Sequence, residues 1–380
     1  MNLAAEELAA RLRPLFEENF ARRGELGAAV SIWHKDKPLL ELIGGFREVR
    51  RETPWTNDTL VLFWSATKGL GSACLLHALQ ERGIGLARRV AEFWPGFGQK
   101  GKEKITLAQL LSHQAGLCAL DRPVELTNYG AVVRALEKQE PLWPPGSAHG
   151  YHARTFGFLI DELMRRIESR SISEYWRENL AEPLGLDIWI GLPADENARV
   201  ATIYAARSSG TPSPEGFYRA LNTPGSLQRR TFTSPRGLNR ISSMNLPENR
   251  ARSLVSLGGI GSATSLAKFY ALLANGGEWE GRRFFSASTI AQMSTTLASG
   301  IDRIFGFPTA FSAGFMKDDP AAECRIFGPS PLAFGHPGAG GSHAFADPEN
   351  NLAFAYVMNQ MEQTVLPNEK ALSLLEALYR

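Results

Sequence analysis

The chain has 380 residues but only three cysteines, Cys74, Cys118 and Cys324. An odd number of widely spaced cysteines does not form a disulfide framework, so we expect reduced thiols in the core of a cytoplasmic protein. No hydrophobic run approaches the length of a membrane span. The first residues are acidic and amphipathic and lack the apolar core of a signal peptide. We therefore expect no membrane partner.

The chain also lacks a dominant charge. Its 41 Lys and Arg nearly balance its 39 Asp and Glu, which gives a formal net charge of +2 and no reason to expect nucleic acid as a partner. A hydrophobic content of 44% excludes disorder as the main state. The sequence contains no serine in a G-x-S-x-G pattern, no glycine-rich phosphate loop, no H-E-x-x-H and no C-x-x-C. These absences argue against an α/β-hydrolase and a nucleotide site, and we expect neither a metal nor a cofactor.

One tetrapeptide, Ser65-Ala66-Thr67-Lys68, follows an apolar run and opens a segment that is predicted to be a buried helix. Residues three apart lie on one face of a helix, so the Lys68 amine can stand beside the Ser65 hydroxyl. A serine hydroxyl becomes a nucleophile when such a group activates it. If Ser65 is the first helical residue, its free N–H can also hold a developing oxyanion.

The same spacing occurs at Ser265-Leu266-Ala267-Lys268, where a glycine turn precedes the serine. There we interpret Ser265 as an ordinary helix cap or first-turn residue. Context therefore has to distinguish the two copies. The first copy precedes a helix that is apolar nearly all round and carries Gly69 and Gly71, which favours a central helix in close contact with its neighbours.

Alternating apolar runs joined by tight turns predict antiparallel strands at both ends of the chain. The predicted strands are 28–33, 38–43, 342–346 and 352–357, and a helix over 367–378 closes the chain. Helical patterns over 107–112, 131–138, 155–166 and 172–180 dominate the middle. We expect an α+β protein in which residues 1–75 and 256–380 form a domain with an antiparallel sheet, while residues 76–255 form a mostly helical domain.

The helical domain ends in a segment, 205–252, that is rich in Ser, Pro and Gly and holds eight arginines against Glu215 and Glu248. A loop of this length is either functional or mobile. Two interpretations stay open, a solvated surface loop and a lid or wall over a cleft.

Two further segments give the tetrapeptide its context. They are Trp143-Pro144-Pro145-Gly146-Ser147-Ala148-His149-Gly150-Tyr151-His152-Ala153 and Phe334-Gly335-His336-Pro337-Gly338-Ala339-Gly340-Gly341-Ser342. Together with Ser65 to Lys68 they resemble, in the same order, the three active-site elements of the serine β-lactamase and penicillin-binding-protein superfamily. The chain is most similar to the class C β-lactamase-like branch, and within it to the family VIII carboxylesterases. The resemblance implies the class C β-lactamase-like fold, an antiparallel sheet flanked by helices plus a mostly helical domain.

The resemblance also implies roles for matching residues. Ser65 would be the acylated nucleophile, Lys68 its hydrogen-bonded neighbour and Tyr151 the proton shuttle. Whether Lys68 or Tyr151 accepts the serine proton stays open. The backbone N–H groups of Ser65 and Ala339 would form the oxyanion hole.

The third element would bind substrate through His336, Gly338 and Ala339. It departs from the K-T-G pattern, because His336 replaces the lysine and Pro337 the threonine that help to hold an antibiotic carboxylate. Ala153 likewise replaces the asparagine of Y-x-N. His149 and His152 flank Tyr151, but no carboxylate cluster supports a metal there.

These departures favour neutral esters over carboxylated lactams. We expect a serine carboxylesterase that hydrolyses short-chain acyl esters through an acyl-Ser65 intermediate, with a small-molecule ester as its partner. Weak β-lactam hydrolysis and a homo-oligomer are compatible with the sequence. The alternatives are a β-lactamase or DD-peptidase-like hydrolase, an acyltransferase, and a binding protein on a degenerate enzyme fold.

Overall fold

The computed structural model describes residues 5–206 and 216–380. Within these ranges the chain forms helices and strands, and no named strand lies between Thr67 and Leu184. The helices are α1 (Ala5–Ala21), α2 (Thr67–Glu81), α3 (Val90–Phe93), α4 (Leu107–Leu111), α5 (Tyr129–Lys138), α6 (Thr155–Glu168), α7 (Ile172–Trp176), α8 (Glu182–Leu184), α9 (Phe217–Asn222), α10 (Leu227–Thr233), α11 (Pro247–Arg250), α12 (Ala263–Ala274), α13 (Ala287–Ser294) and α14 (Glu369–Leu378). The strands are β1 (Gly27–His34), β2 (Lys37–Gly45), β3 (Val61–Leu62), β4 (Ile188–Ile190), β5 (Gly259–Gly261), β6 (Glu278–Trp279), β7 (Arg282–Arg283), β8 (Ala298–Ile301), β9 (Pro308–Phe311), β10 (Met316–Lys317), β11 (Phe334–Pro337), β12 (His343–Asp347) and β13 (Leu352–Met358).

The main sheet has eight strands in the order β2-β1-β13-β12-β11-β10-β9-β8, and every pair in it is antiparallel. The hairpin β1–β2 from the start of the chain lies beside β13 from its end, with Ala29 opposite Val357. The sequence-based prediction that both chain ends build one antiparallel sheet is confirmed. Three of the four predicted strands are longer than predicted by one to three residues, and the strand predicted at 342–346 is shifted by one residue to His343–Asp347.

Both faces of this sheet are covered. Every residue of β13 is buried, and successive side chains of a strand point to opposite faces, so helices must pack on both sides. Helix α12 packs on β1, β12 and β13, while α1 packs against α14 and β2. The fold is the predicted antiparallel sheet flanked by helices.

Helix α2 is the central helix, buried along most of its length, and it packs against α6, α7 and β11. Its glycines allow this close approach. A Cβ atom on Gly69 would lie 2.5 Å from the Tyr270 hydroxyl, and one on Gly71 would lie 2.5 Å from a Val255 methyl. Glycine lowers the stability of a helix relative to alanine. Close packing against Tyr270 and Val255 is therefore the physical reason for Gly69 and Gly71 in α2.

A second, small sheet was not predicted. Strand β5 pairs with both β3 and β4, so the glycine turn at 258–261 joins the segment before Ser65 to a strand in the middle of the chain. Strands of two or three residues carry too little alternation to be seen in a sequence. The division into residues 1–75 with 256–380 and residues 76–255 stays a prediction.

The arginine-rich segment is more ordered than its composition indicates. It contains the short helices α9, α10 and α11, and part of it, residues 207–215, lies outside the described residues.

The cysteine prediction was partly wrong, because Cys74 and Cys118 are buried thiols but Cys324 is exposed in the irregular segment between β10 and β11.

Candidate active site

Ser65 lies in a tight turn between β3 and α2. Helix α2 begins at Thr67, so the expectation that Ser65 is the first helical residue was wrong by two positions. Trp64 has a φ of +52°, a left-handed conformation that is costly for a bulky residue. The Thr67 hydroxyl fixes this turn, because it donates to the Trp64 carbonyl at 2.5 Å and accepts the Gly259 N–H at 2.8 Å. Ser65 is held partly exposed.

Lys68 is fully buried, one helical turn from Ser65. Its Nζ lies 3.3 Å from the Ser65 Oγ and donates to the backbone carbonyls of Ala153 and Ser256, both at 2.8 Å. Burial lowers the pKa of Lys68 well below its usual range. The Ser65 Oγ is the third acceptor around Nζ, beside the two carbonyls. Loss of the proton that faces Ser65 keeps both carbonyl hydrogen bonds and leaves a lone pair directed at the Ser65 hydroxyl.

Tyr151 completes the group. The Lys68 Nζ lies 4.9 Å from the centroid of its ring. Burial raises the pKa of Tyr151 above its usual range, although its contact with the Ser65 hydroxyl acts in the opposite direction. The same buried environment thus favours the neutral form of both groups, an amine on Lys68 and a phenol on Tyr151.

The loop around Tyr151 is anchored on both sides by His113. The His113 carbonyl accepts the N–H of Gly150 at 3.1 Å, and its Nδ1 accepts the N–H of His152 at 3.1 Å. His113 itself has a φ of +61° and is buried against the Tyr151 ring, with ring centroids 5.1 Å apart. One residue therefore fixes the backbone immediately before and after the tyrosine.

Asp302 anchors Tyr151 from the other side. Its carboxylate is buried and accepts the Tyr151 N–H at 3.1 Å, the N–H groups of Ile304 and Phe305 at 2.7 and 3.0 Å, and the Thr309 hydroxyl at 3.2 Å. The Phe305 ring stacks on the Tyr151 ring with centroids 5.0 Å apart. A single carboxylate thus orients the tyrosine backbone and the ring that packs on its side chain.

The third sequence element lies directly beside the Ser65 turn. A Cβ atom on Gly338 would lie 2.1 Å from the Phe63 carbonyl oxygen, so only glycine permits this approach. Ala339 follows Gly338 at the end of β11 and is partly exposed, as Ser65 is. Within residues 5–206 and 216–380, the N–H groups of Ser65 and Ala339 donate to no protein acceptor. Two such donors on neighbouring segments are suited to hold an oxyanion.

His336 is 1% exposed and faces the tyrosine, with ring centroids 5.9 Å apart. Its Nδ1 lies 2.8 Å from the Pro337 carbonyl, which can only accept, so the proton is on Nδ1. The Nε2 atom is then a buried acceptor, and the described part of the chain offers it no partner. Burial lowers the pKa of His336 to about 3. The histidine is therefore neutral where a K-T-G lysine would be charged.

Phe232 and Phe305 contact the Tyr151 ring, and Phe217 and Phe307 pack against Phe305. We call these four phenylalanines the aromatic wall. Phe217 lies 5.7 Å from Phe232 and 5.3 Å from Phe305, and Phe232 lies 6.3 Å from Tyr151, all between ring centroids. Two of these rings belong to α9 and α10 of the arginine-rich segment. Of the two interpretations of that segment, the structure favours a wall beside the site.

The sequence-predicted catalytic residues thus lie together: Ser65, Lys68 and Tyr151 converge, with Ala339, Gly338 and His336 beside them. Sequence reasoning missed Asp302, Phe305 and Phe232. An isolated aspartate or phenylalanine gives no sequence signal when its partner is far away in the chain. Ala153 stands where the Y-x-N pattern has asparagine, so it has no side-chain amide. Its backbone carbonyl nevertheless accepts a hydrogen bond from the Lys68 Nζ.

The second S-x-x-K copy has the ordinary structural role that we expected. Ser262 caps α12, and the Ser265 hydroxyl accepts the Asp187 N–H at 2.9 Å. Lys268 lies over the Trp279 ring, with its Nζ 5.2 Å from the centroid. Neither Ser265 nor Lys268 contributes to the candidate site.

In the part of the chain that the structure describes, no cluster of three or more His, Cys, Asp or Glu side chains is arranged to hold a metal ion. No helix in the same ranges combines the length and hydrophobicity that crossing a bilayer requires.

Comparisons with known proteins agree with this geometry. Residues 12–379 match the sequence model of the Beta-lactamase family. The chain is 29% identical over 375 residues to Esterase/beta-lactamase LipL of Mycobacterium tuberculosis, covering 94% of this chain and 82% of the relative. Among solved structures it resembles a penicillin-binding protein homolog from Caulobacter crescentus, with a TM-score of 0.86, 34% identity and coverage of 98% and 96% of the two chains. A family VIII carboxylesterase gives the same TM-score and identity, with coverage of 97% and 96%. The chain therefore belongs to the Beta-lactamase family and is a serine hydrolase of the β-lactamase fold.

Proposed function

We propose that this protein is a serine carboxylesterase that hydrolyses short-chain acyl esters through an acyl-Ser65 intermediate. The observation that carries the proposal is the convergence of three side chains. The Lys68 Nζ lies 3.3 Å from the Ser65 Oγ and 4.9 Å from the centroid of the Tyr151 ring. A nucleophile, a base and a proton donor thus lie side by side.

In the acylation step, the lone pair of the neutral Lys68 amine accepts the Ser65 proton while Oγ attacks the ester carbonyl carbon. A C–O bond forms, and the carbonyl electron pair moves to its oxygen, where the N–H groups of Ser65 and Ala339 hold the charge. The bond to the alcohol then breaks. Tyr151 donates its phenolic proton to the leaving oxygen and is reprotonated by the Lys68 ammonium.

Deacylation runs through the same groups with water in place of the alcohol. Lys68 accepts a proton from water, the hydroxide attacks the acyl carbon, and the acid leaves when the bond to the Ser65 Oγ breaks. The serine oxygen takes its proton back through Tyr151. We assign the base role to Lys68 because the buried pocket lowers its pKa and raises that of Tyr151, which disfavours a phenolate.

Two features support neutral esters as substrates. His336 is neutral and buried, and Pro337 has neither a hydroxyl nor an N–H, so the strand edge offers a carboxylate no cation. The aromatic wall supplies an apolar surface beside Tyr151 for an acyl or alkyl group. The similarity to a family VIII carboxylesterase and to an esterase/β-lactamase supports the same interpretation.

The test compares wild type, Ser65→Ala and Ser265→Ala on a chromogenic butyrate ester. We expect Ser65→Ala to reduce kcat by about 10³-fold or more, because the nucleophile is lost. Ser265→Ala is the matched control, with the same S-x-x-K spacing outside the site, and should keep wild-type activity. Retained activity in Ser65→Ala would refute the proposal.

A chromogenic cephalosporin tests the alternative. Turnover of the cephalosporin faster than that of the butyrate ester would favour a β-lactamase.

A further inference from the structure

The Ala339 N–H belongs to a peptide group whose carbonyl end is held by a hydrogen bond. The carbonyl of this peptide is that of Gly338, and it accepts the N–H of Gly341 at 3.3 Å. The peptide is trans and planar, so its C=O and its N–H point in opposite directions. The bond from Gly341 therefore turns the Ala339 N–H outward, away from the loop. The direction of this N–H depends on where the Gly340–Gly341 peptide lies.

The Gly340–Gly341 peptide is held in turn by a segment near the end of the chain, residues 361–368, which we call the clamp. The Gly340 carbonyl accepts the N–H of Glu362 at 2.9 Å and the side-chain Nδ2 of Asn368 at 3.3 Å. Because this carbonyl and the Gly341 N–H lie in one plane, both donors also fix the direction of the Gly341 N–H. The clamp therefore acts on the Ala339 N–H through two linked peptide groups.

The clamp packs directly against the two glycines. A Cβ atom on Gly340 would lie 2.5 Å from the Met361 side chain, and one on Gly341 would lie 2.7 Å from the Asn368 Nδ2. Both glycines also have a positive φ, +87° and +131°, which other residues rarely adopt. A shift of the clamp is therefore passed on directly to the backbone beside Ala339.

A buried ion pair anchors the clamp to the main sheet. The Lys370 Nζ lies 3.1 Å from a carboxyl oxygen of Glu362 and 3.4 Å from one of Glu25. Glu25 is buried and accepts the hydroxyl of Tyr356, a residue of β13, at 2.7 Å. The clamp is thus a fixed support, and the Asn368 side chain extends from it to the loop.

We propose that Asn368 is a positioning residue for the oxyanion hole, because its amide holds the peptide that orients the Ala339 N–H. The inference rests on the proposed esterase function and assigns to that reaction a residue outside the three sequence elements. Linked hydrogen bonds also polarise one another, which makes the Ala339 N–H a stronger donor. The negative charge on the substrate oxygen develops only in the transition state, so the contribution of Asn368 belongs to kcat more than to KM.

Asn368 also caps α14, because its Oδ1 accepts the Lys370 N–H at 3.1 Å. The experiment therefore has to separate the cap from the bond to Gly340. Asn368→Ser keeps a capping oxygen, but its side chain is too short to reach the Gly340 carbonyl. Asn128→Ser is the matched control, since Asn128 is exposed and caps α5 in the same way.

Wild type and both variants are compared on the butyrate ester and with an alkyl trifluoromethyl ketone as inhibitor. The Ser65 Oγ adds to the ketone carbon and its proton passes to Lys68, while the carbonyl electron pair moves to the oxygen. The inhibition constant Ki therefore reports how well the hole holds an oxyanion. Neither Ki nor KM depends on the amount of folded enzyme, so a general loss of folding changes neither value.

For Asn368→Ser we expect kcat to fall about tenfold and Ki to rise about tenfold, with KM within about twofold of wild type. Loss of a whole oxyanion donor costs about 10²- to 10³-fold, and the effect is smaller here because the Glu362 N–H still holds Gly340. Asn128→Ser should match wild type in all three quantities. Asn368→Asp is a second variant that keeps the capping oxygen but has no N–H, and it should raise Ki at least as much as Asn368→Ser.

An unchanged Ki in Asn368→Ser overturns the inference. It does so even where Asn368→Asp raises Ki, because the added negative charge alone then explains that rise. An equal rise of Ki in Asn128→Ser also overturns it, since the effect would then follow from loss of any helix cap. A wild type that neither hydrolyses the ester nor binds the ketone would refute the esterase proposal itself.

Discussion

Replacing His336 with asparagine should change how the stability of the protein depends on pH. Burial holds the pKa of His336 at about 3 in the folded state, whereas an exposed histidine titrates near 6.5. Between these values the unfolded state binds a proton that the folded state does not, so folding stability falls as the pH falls through about 6.5. From pH 7 to pH 5 this one group removes about 2 kcal/mol from the free energy of unfolding.

The assay is urea unfolding at pH 7 and pH 5, followed by tryptophan fluorescence and by activity to establish that both report one transition. Between the two pH values wild type should lose about 2 kcal/mol more than His336→Asn, because asparagine does not titrate. His34→Asn is the control, since His34 is only partly buried and should change the pH dependence far less. Parallel losses in wild type and His336→Asn would show that His336 titrates normally, and the neutral strand edge would be wrong.

Two further substitutions test how Tyr151 acts. Tyr151→Phe removes the proton donor but keeps the ring that stacks on Phe305. We therefore expect kcat to fall by about 10²- to 10⁴-fold, while the free energy of unfolding changes by no more than about 1 kcal/mol. An unchanged kcat would exclude the shuttle role. Asp302→Asn places an amide N–H against backbone N–H donors, so the hydrogen bond that holds the Tyr151 backbone should be lost. Because Tyr151 is then misplaced, we expect kcat to fall by about 10²-fold with little change in KM for a small ester. Asp319→Asn is the control for Asp302→Asn, because Asp319 is a buried aspartate that accepts the Gly300 N–H and does not contact Tyr151. An equal effect of both variants would indicate a general structural loss.

The sheet was predictable because its signals are local. The hairpin at 35–37 and the turn at 347–350 each separate two apolar runs, and tight turns require antiparallel neighbours. The start of α2 was misplaced for a local reason too. Trp64 adopts a left-handed conformation that its residue type does not favour, and a hydrogen bond from Thr67 stabilises it. Sequence propensity assigns that conformation to glycine or asparagine instead.

Three site residues were predictable from motifs, but their supporting contacts were not. The pairing of Asp302 with Tyr151 joins residues 151 positions apart, and neither neighbourhood indicates it. The protonation states were out of reach for the same reason. They depend on how completely Lys68 and Tyr151 are removed from water, which the tertiary fold alone decides. For the arginine-rich segment, the sequence provided only a composition. Which of its residues face the site depends on where α9 and α10 pack, and no local pattern predicts that.

The central claim is that Ser65 carries the acyl group during turnover. The most direct measurement is mass spectrometry of the enzyme quenched in acid during hydrolysis of a butyrate ester, followed by digestion and peptide mapping. We predict one butyryl group on the peptide that contains Ser65, and none in Ser65→Ala. Turnover with a butyryl group on another residue, or with no acylated protein at any quench time, would contradict the account.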